Sequence, residues 1–146
     1  MQDLTKQHIE HTFVMIKPEG VRRHLIGEFI RRFELRELRL IAIKRTTASR
    51  SLAETHYHIH ANKPFFDDLV NLMLSGPVIA MVWEGEHAIK IGRMLTGSTN
   101  PLEAAPGTIR GDYAGTALNS LVHTSDSPTA AQMEVDLWFD GEIGRH

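Results

Sequence analysis

The sequence predicts an α/β fold of the α+β kind, a small antiparallel sheet with helices packed on it. Three observations carry that prediction. Apolar runs of strand length alternate with stretches of helical period, in the order strand–helix–strand–helix–strand–helix–strand–helix. The 146 residues, 42% of them hydrophobic, suit one compact domain able to bury its own core. Cysteine is absent, which leaves the fold to stand on packing and excludes disulfides, thiolate catalysis and sulfur-based zinc sites. Residues 1–146 are read as a single domain with a core over about 12–139 and short polar ends.

His11 to Ile16 is a short apolar run stopped by Lys17-Pro18-Glu19-Gly20, a strand that enters a turn and leaves Lys17 at its exit. From Ile26, apolar residues recur at Phe29, Ile30 and Phe33, and less regularly at Leu38, the spacing of a helix with one buried face. Arg31, Arg32, Glu34 and Glu37 form its wet side. Leu38 to Lys44 sets Leu38, Leu40 and Ala42 against Arg39 and Lys44 and reads as a strand. Ser51 to His60 reads as a helix, and Phe65 to Leu74 as a stronger one, stopped by Ser75-Gly76-Pro77. Val78 to Trp83 is a continuous apolar run, as a central strand buried on both faces would be. His87 to Leu95 is a short helix. Thr96 to Asn119 has neither period and is rich in Gly, Pro, Thr and Ala; inside a compact domain such a stretch points to a functional loop. A strand around Leu121 to His123 and a helix from Pro128 to about Phe139 close the chain.

The net charge of −2, with both signs spread along the chain, argues against a protein that grips nucleic acid or anionic lipid through bulk positive charge. Any phosphate site must be local. The N-terminal residues lack the apolar core of a signal peptide, and no apolar run approaches the ~20 residues that span a bilayer, so a soluble cytoplasmic protein is expected.

The best candidate for a reactive group is His123, set between the apolar approach Leu121-Val122 and the polar helix-opening turn Thr124-Ser125-Asp126-Ser127-Pro128. A nucleophile is best presented where a rigid element ends. Glu134 lies near the middle of the last helix, where its carboxylate can reach back and fix the imidazole's orientation and tautomer. Neither a G-x-x-x-x-G-K-[ST] loop nor a G-x-G-x-x-G turn is present, so a phosphate ligand needs another cradle. Lys17, Arg93 and Arg110 lie at element ends or in the long loop and can converge on phosphate oxygens, although each alone reads as a solvated surface charge. His56, His58 and His60 invite a metal reading, but in a helix only His56 and His60 share a face and no acidic ligand stands beside them, which favours a solvated helix face. Phe65, after Lys63-Pro64 at a helix start, is either exposed enough to stack on a base or a plain core aromatic, and Tyr57 has the same ambiguity.

Together these residues make the chain resemble a nucleoside diphosphate kinase. The likeness runs from about Thr12 to Phe139 through Phe13-Val14-Met15-Ile16-Lys17-Pro18-Glu19-Gly20-Val21, Pro64-Phe65-Phe66, Ser75-Gly76-Pro77-Val78, Thr99-Asn100-Pro101, Pro106-Gly107-Thr108-Ile109-Arg110-Gly111-Asp112 and His123-Thr124-Ser125-Asp126-Ser127. The resemblance implies a ferredoxin-like sandwich with a four-stranded antiparallel sheet covered by helices. It also implies a homo-oligomer, hexamer or tetramer, and Mg²⁺-dependent ping-pong transfer of the terminal phosphate between nucleoside triphosphates and diphosphates through a phosphohistidine on His123. Mg²⁺ would be bound with the nucleotide phosphates rather than by a protein metal site. By position, Lys17, Tyr57, Arg93, Thr99 and Arg110 would hold the phosphates and sugar. Phe65 would stack on the base with Leu69 beside it, and Ser125 and Glu134 would support His123.

Three positions depart from the family pattern. Ser120 stands where asparagine usually bonds the sugar hydroxyl, with Asn119 one residue earlier. Thr124 replaces the usual glycine or alanine after the histidine, putting β-branched bulk beside the nucleophile. Ala117 replaces a larger aliphatic residue against the base. These changes keep the nucleophile and the phosphate cations, and they predict an active enzyme with altered nucleoside binding, chiefly a raised KM. The alternative is a catalytically impaired nucleotide-binding scaffold of the same fold, against which the joint retention of His123, Lys17, Arg110 and Glu134 counts. Nucleic acid as the main partner is disfavoured by the balanced charge.

Overall fold

The computed structural model describes residues 8–113, 120–140 and 143. Four strands, β1 (Ile9–Ile16), β2 (Arg39–Thr46), β3 (Val78–Glu86) and β4 (Val122–Thr124), form one sheet in the order β2-β3-β1-β4. Every neighbouring pair is antiparallel. The helices are α1 (Pro18–Arg22), α2 (Ile26–Glu34), α3 (Arg50–His56), α4 (Phe66–Leu74), α5 (Ala88–Thr96), α6 (Ile109–Tyr113) and α7 (Pro128–Phe139), with a 3₁₀ turn over His58–His60.

Strand alternation divides the core into two layers. Phe13 and Met15 of β1 face α3, α4 and α7, packing with Tyr57, Val70, Met73, Trp138 and Phe139. Val14 and Ile16 face the opposite way, toward Phe29 and Phe33 of α2, Ala88 of α5 and Ile109 of α6. On that second side Phe33 stacks on Trp83 with centroids 5.2 Å apart. Covered on both faces, β1 and β3 need apolar residues at consecutive positions, which is why their sequences read as unbroken runs. β2 lies at the edge, and its alternating burial leaves Ile41 and Ile43 exposed.

Local structure departs from the sequence reading in several respects. Lys17-Pro18-Glu19-Gly20 does not form a simple turn: Lys17 is extended and Pro18 opens α1, where a missing N–H costs nothing. Gly20 is required there, because a Cβ would lie 2.8 Å from Ile16 Cγ2 and 3.1 Å from the Leu121 carbonyl oxygen. β2 begins one residue later than read and runs on to Thr46. The helix read over Ser51 to His60 stops at His56, so His56 and His60 do not share a helical face. The stretch from Thr96 is not structureless, since it contains α6. Arg32, finally, is not on a wet side: it bonds Asp112 at 2.9 Å and Glu28 at 3.0 Å, and Tyr113 donates its hydroxyl to the same Glu28 carboxylate at 3.0 Å. This latch ties α6 to α2, and its cationic partners hold Glu28 down to about 2, the Arg31 hydrogen bond foremost. Ala117 and Asn119 lie outside the described residues.

Candidate active site

β4 enters through a sharp bend. Leu121 has φ of 73°, and the Val122 N–H closes a three-residue turn on the Ser120 carbonyl at 2.9 Å. A left-handed conformation is costly for leucine; here burial of its side chain and a 2.8 Å bond from the Lys17 N–H to the Leu121 carbonyl hold it in place. The bend brings Lys17 and Ser120 together, with Lys17 Nζ donating to Ser120 Oγ at 3.0 Å. Ser120 is thus turned toward the lysine that leaves β1.

The register of β4 on β1 sets His123 opposite Met15 and Thr124 opposite Val14. His123 therefore shares the face of Phe13 and Met15. Thr124 lies on the other face, where its methyl approaches Gly92 of α5: a Cβ on that glycine would sit 4.0 Å from it. The threonine bulk, read from the sequence as crowding the nucleophile, is absorbed by the second core layer instead.

A chain of hydrogen bonds ends on His123. Ser125 Oγ accepts the Phe13 N–H at 3.1 Å and donates to Glu134 Oε1 at 2.6 Å. Glu134 Oε2 lies 2.8 Å from His123 Nε2. A carboxylate oxygen accepts, so Nε2 carries the ring hydrogen and Nδ1 keeps a free lone pair. Glu134 reaches this position because Ser127 caps α7, accepting the Ala130 N–H at 3.1 Å, and Pro128 opens the helix.

The cations gather around β4. Arg110 is buried and donates to the Gly97 carbonyl at 3.0 Å and the Val122 carbonyl at 2.8 Å, while its Nε is buried without a partner. Arg93 reaches the Thr124 carbonyl at 3.4 Å. Among the described residues none of Lys17, Arg93 and Arg110 pairs with a carboxylate. Burial, with Arg93 adding repulsion, brings Arg110 down to about 10; burial, with Arg110 adding repulsion, brings Lys17 down to about 7. Burial pushes the Tyr57 hydroxyl well above the usual phenol range, so it stays protonated. Basic groups without a carboxylate partner are the kind of donors that bind an anion through charge-assisted hydrogen bonds.

The sequence candidates thus fall into two groups. His123, Glu134 and Ser125 are joined by one set of hydrogen bonds and Lys17 and Ser120 by another, with Arg93 and Arg110 bonded to the β4 backbone. Phe65, Leu69 and Thr99 stand apart from both sets. Phe65 is half-buried at the start of α4 with its ring 5.5 Å from that of His60, Leu69 is buried one turn on, and Thr99 is exposed after α5. His56 corrects the expectation of a solvated face: its ring meets that of His123 at 4.5 Å. Helical spacing hid this contact, because the helix ends at that residue.

His56, His123 and Glu134 bring ligand atoms within 4.8 Å of one another, the one such group among the described residues. Two of those atoms are engaged, His123 Nε2 by Glu134 and His56 Nδ1 by Trp138 Nε1 at 3.0 Å. A hard cation such as Mg²⁺ takes oxygen ligands in octahedral array, which two imidazoles and one committed carboxylate do not supply.

A family profile described as nucleoside diphosphate kinase matches residues 10–143. The chain is 52% identical over 131 residues to a nucleoside diphosphate kinase of Picosynechococcus sp., covering 90% of this chain and 88% of that one. It is 50% identical over 134 residues to a nucleoside diphosphate kinase of Brevibacillus brevis, covering 92% and 91%. The crystal structure of apo nucleoside diphosphate kinase from Encephalitozoon cuniculi superimposes with a TM-score of 0.91 at 44% identity, over 94% of this chain and 93% of that one. A family member from Babesia bovis gives 0.88 at 48%, over 92% and 90%.

The electrostatics of Lys17 yield a test that needs only an anion. With its ammonium near 7, Lys17 is mostly neutral in the free protein at about pH 8, and a docking polyphosphate restores its charge. Calorimetric titration with inorganic triphosphate in buffers of differing ionisation enthalpy is expected to show uptake of a large fraction of one proton at about pH 8. Uptake fades toward about pH 6, where Lys17 already holds its proton, and disappears in Lys17→Met. Buffer-independent heats at the higher pH would contradict the assignment.

Proposed function

The chain belongs to the nucleoside diphosphate kinase family, and from that premise we propose that it moves the terminal phosphate of a nucleoside triphosphate to a nucleoside diphosphate in two steps through His123. The observation that carries the residue assignment is the Phe13–Ser125–Glu134–His123 chain, which commits Nε2 and leaves Nδ1 free beside unpaired cations. In the first step Nδ1 attacks the γ-phosphorus. An N–P bond forms as the bond from phosphorus to the β–γ bridging oxygen breaks, and the electron pair leaves on the nucleoside diphosphate. In the second, a β-phosphate oxygen of the acceptor attacks the same phosphorus and the N–P bond breaks. The Nε2 hydrogen stays against Glu134 throughout, which stabilises the positive ring of the phosphorylated state.

Lys17, Arg93 and Arg110 are the charge-stabilising groups for a loose phosphoryl transfer, and Mg²⁺ reaches the site as part of the substrate, bound to the nucleotide phosphates. Tyr57, held protonated, and Thr99 donate hydrogen bonds at the phosphate and sugar end. Phe65 and Leu69 form the base platform, and stacking on one aromatic face tolerates any base. Ser120 has a double duty, fixing Lys17 and facing the sugar. Since Lys17 already engages its hydroxyl, the sugar contact is weak and KM is raised. A scaffold without transfer has no use for a tautomer-fixing carboxylate, which argues against the impaired reading.

The two core layers on one sheet support a single domain over 1–146 with its core over about 12–139. Exposed Ile41 and Ile43 on the edge strand support a homo-oligomer, tetramer or hexamer, and no described helix is long and apolar enough to cross a membrane, in keeping with a cytoplasmic place of work. Nucleic acid is not the main partner.

Intact-protein mass spectrometry after brief exposure to ATP and Mg²⁺ tests the central step. One acid-labile phosphate is expected on the protein, absent in His123→Ala and discharged by GDP to give GTP; ATP binding without a transferable phosphate would refute it. For Ser120, steady-state kinetics of Ser120→Asn are expected to show KM for the nucleoside diphosphate lowered about three- to ten-fold, the gain of one hydrogen bond, with kcat within about two-fold. An unchanged KM would remove Ser120 from nucleoside binding.

A further inference from the structure

A second histidine is held by the same helix that holds the nucleophile. His56, the last residue of α3, meets His123 edge-on, with ring centroids 4.5 Å apart and 74° between planes. Its Nδ1 lies 3.0 Å from Trp138 Nε1. An indole N–H only donates, so His56 Nδ1 accepts and its ring hydrogen sits on Nε2. Trp138 is only 2% exposed and is itself fixed, stacked on Phe13 with centroids 5.7 Å apart. Phe13 in turn lies 5.9 Å from the His123 ring and 6.3 Å from that of His56. Glu134 and Trp138 are four residues apart on α7 and so share a helical face: one grips His123, the other His56.

We propose that His56, locked as the Nε2–H tautomer by Trp138, is a positioning residue for the nucleophile that sets the plane of the His123 ring and so aims Nδ1 at the incoming phosphoryl group. The proposal rests on His123 being that nucleophile. A single hydrogen bond to Glu134 fixes one ring atom and leaves the ring free to swing about the Nε2···O axis; contact on the ring itself removes that freedom. His56 supplies it without adding charge. The ionisable groups around it are His123 on β4, Tyr57 with its ring 4.8 Å away, Lys17 after β1, His58 and His60 beyond α3, and Glu134 on α7. Burial first, and then His123 and Lys17, hold its imidazole well below the usual range, so it stays neutral beside the cationic phosphate cradle.

The test compares the whole protein with His56→Phe, which keeps a ring but cannot accept the indole hydrogen, with His56→Gln, whose amide oxygen can, and with Trp138→Phe, which removes the donor. Rapid-quench single turnovers with ATP and Mg²⁺ report phosphorylation of His123, steady-state kinetics report KM, and circular dichroism reports folding. Phosphorylation is expected to slow about ten-fold or more in His56→Phe and several-fold in Trp138→Phe, with KM within about two-fold, and His56→Gln recovers part of the loss. A wild-type phosphorylation rate in folded His56→Phe, or a loss carried wholly by KM, overturns the proposal. Should His56→Phe not fold, an unchanged rate in Trp138→Phe overturns it. His123→Ala run alongside separates the two assignments, because acid-labile phosphate persisting there overturns the nucleophile itself and not position 56 alone.

Discussion

The Ser125 hydroxyl stands where β1, β4 and α7 meet. It takes the Phe13 N–H from one strand and gives its own hydrogen to Glu134 on the helix, while the Ser125 N–H bonds the Phe13 carbonyl at 3.1 Å. A buried hydrogen bond to a carboxylate contributes about 1.5–3 kcal/mol, and the desolvation cost of breaking it adds to that. Its larger consequence is geometric. With Ser125 on one oxygen of Glu134, the other oxygen has one place to be, and the His123 tautomer follows from it. Packing then carries the same constraint outward, since Phe13 is also the ring on which Trp138 stacks.

Around this fixed centre the site is electrostatically unfinished. Burial, with repulsion from Arg110, lowers the proton affinity of Lys17; burial, with repulsion from Arg93, lowers that of Arg110, whose Nε is buried without a partner. A protein of balanced net charge that sets Lys17, Arg93 and Arg110 near one another, with no carboxylate paired to them among the described residues, holds a local excess of positive charge that a polyanion would relieve. Catalysis is on this reading mostly preorganisation: the donor groups are in place before the nucleotide arrives, and Lys17 completes its charge as the polyanion docks. The α2–α6 latch through Glu28, Arg32, Asp112 and Tyr113 serves the same end, because α6 carries Arg110.

Much of this was legible in the sequence wherever a residue's neighbours in the chain are also its neighbours in space. The four strands, the long helices and the strand-to-turn setting of His123 follow from periodicity and capping, and Glu134 follows from helix length. The contacts that cross the sheet did not follow. Helical spacing put His56 on a wet face, because nothing local marks the end of α3 there, and it put Arg32 outward, because Asp112 is eighty residues away. Thr124 read as crowding His123 until the register on Val14 set it on the other face. Ser120 shows the same limit: its departure from the family pattern is visible in the chain, but its bond to Lys17 depends on the bend at Leu121.

All of the proposed chemistry depends on Glu134 holding the hydrogen of His123 on Nε2 and leaving Nδ1 bare. Long-range ¹H–¹⁵N correlation spectra of protein labelled with ¹⁵N-histidine, taken without nucleotide at mildly alkaline pH, read that tautomer directly. A protonated, pyrrole-type Nε2 and an unprotonated, pyridine-type Nδ1 are expected for His123, with the pattern lost or averaged in Glu134→Gln. A protonated Nδ1 in the wild-type protein would contradict this expectation, because the ring's one lone pair would then sit on Nε2 against the carboxylate and none would be left on Nδ1 to attack phosphorus.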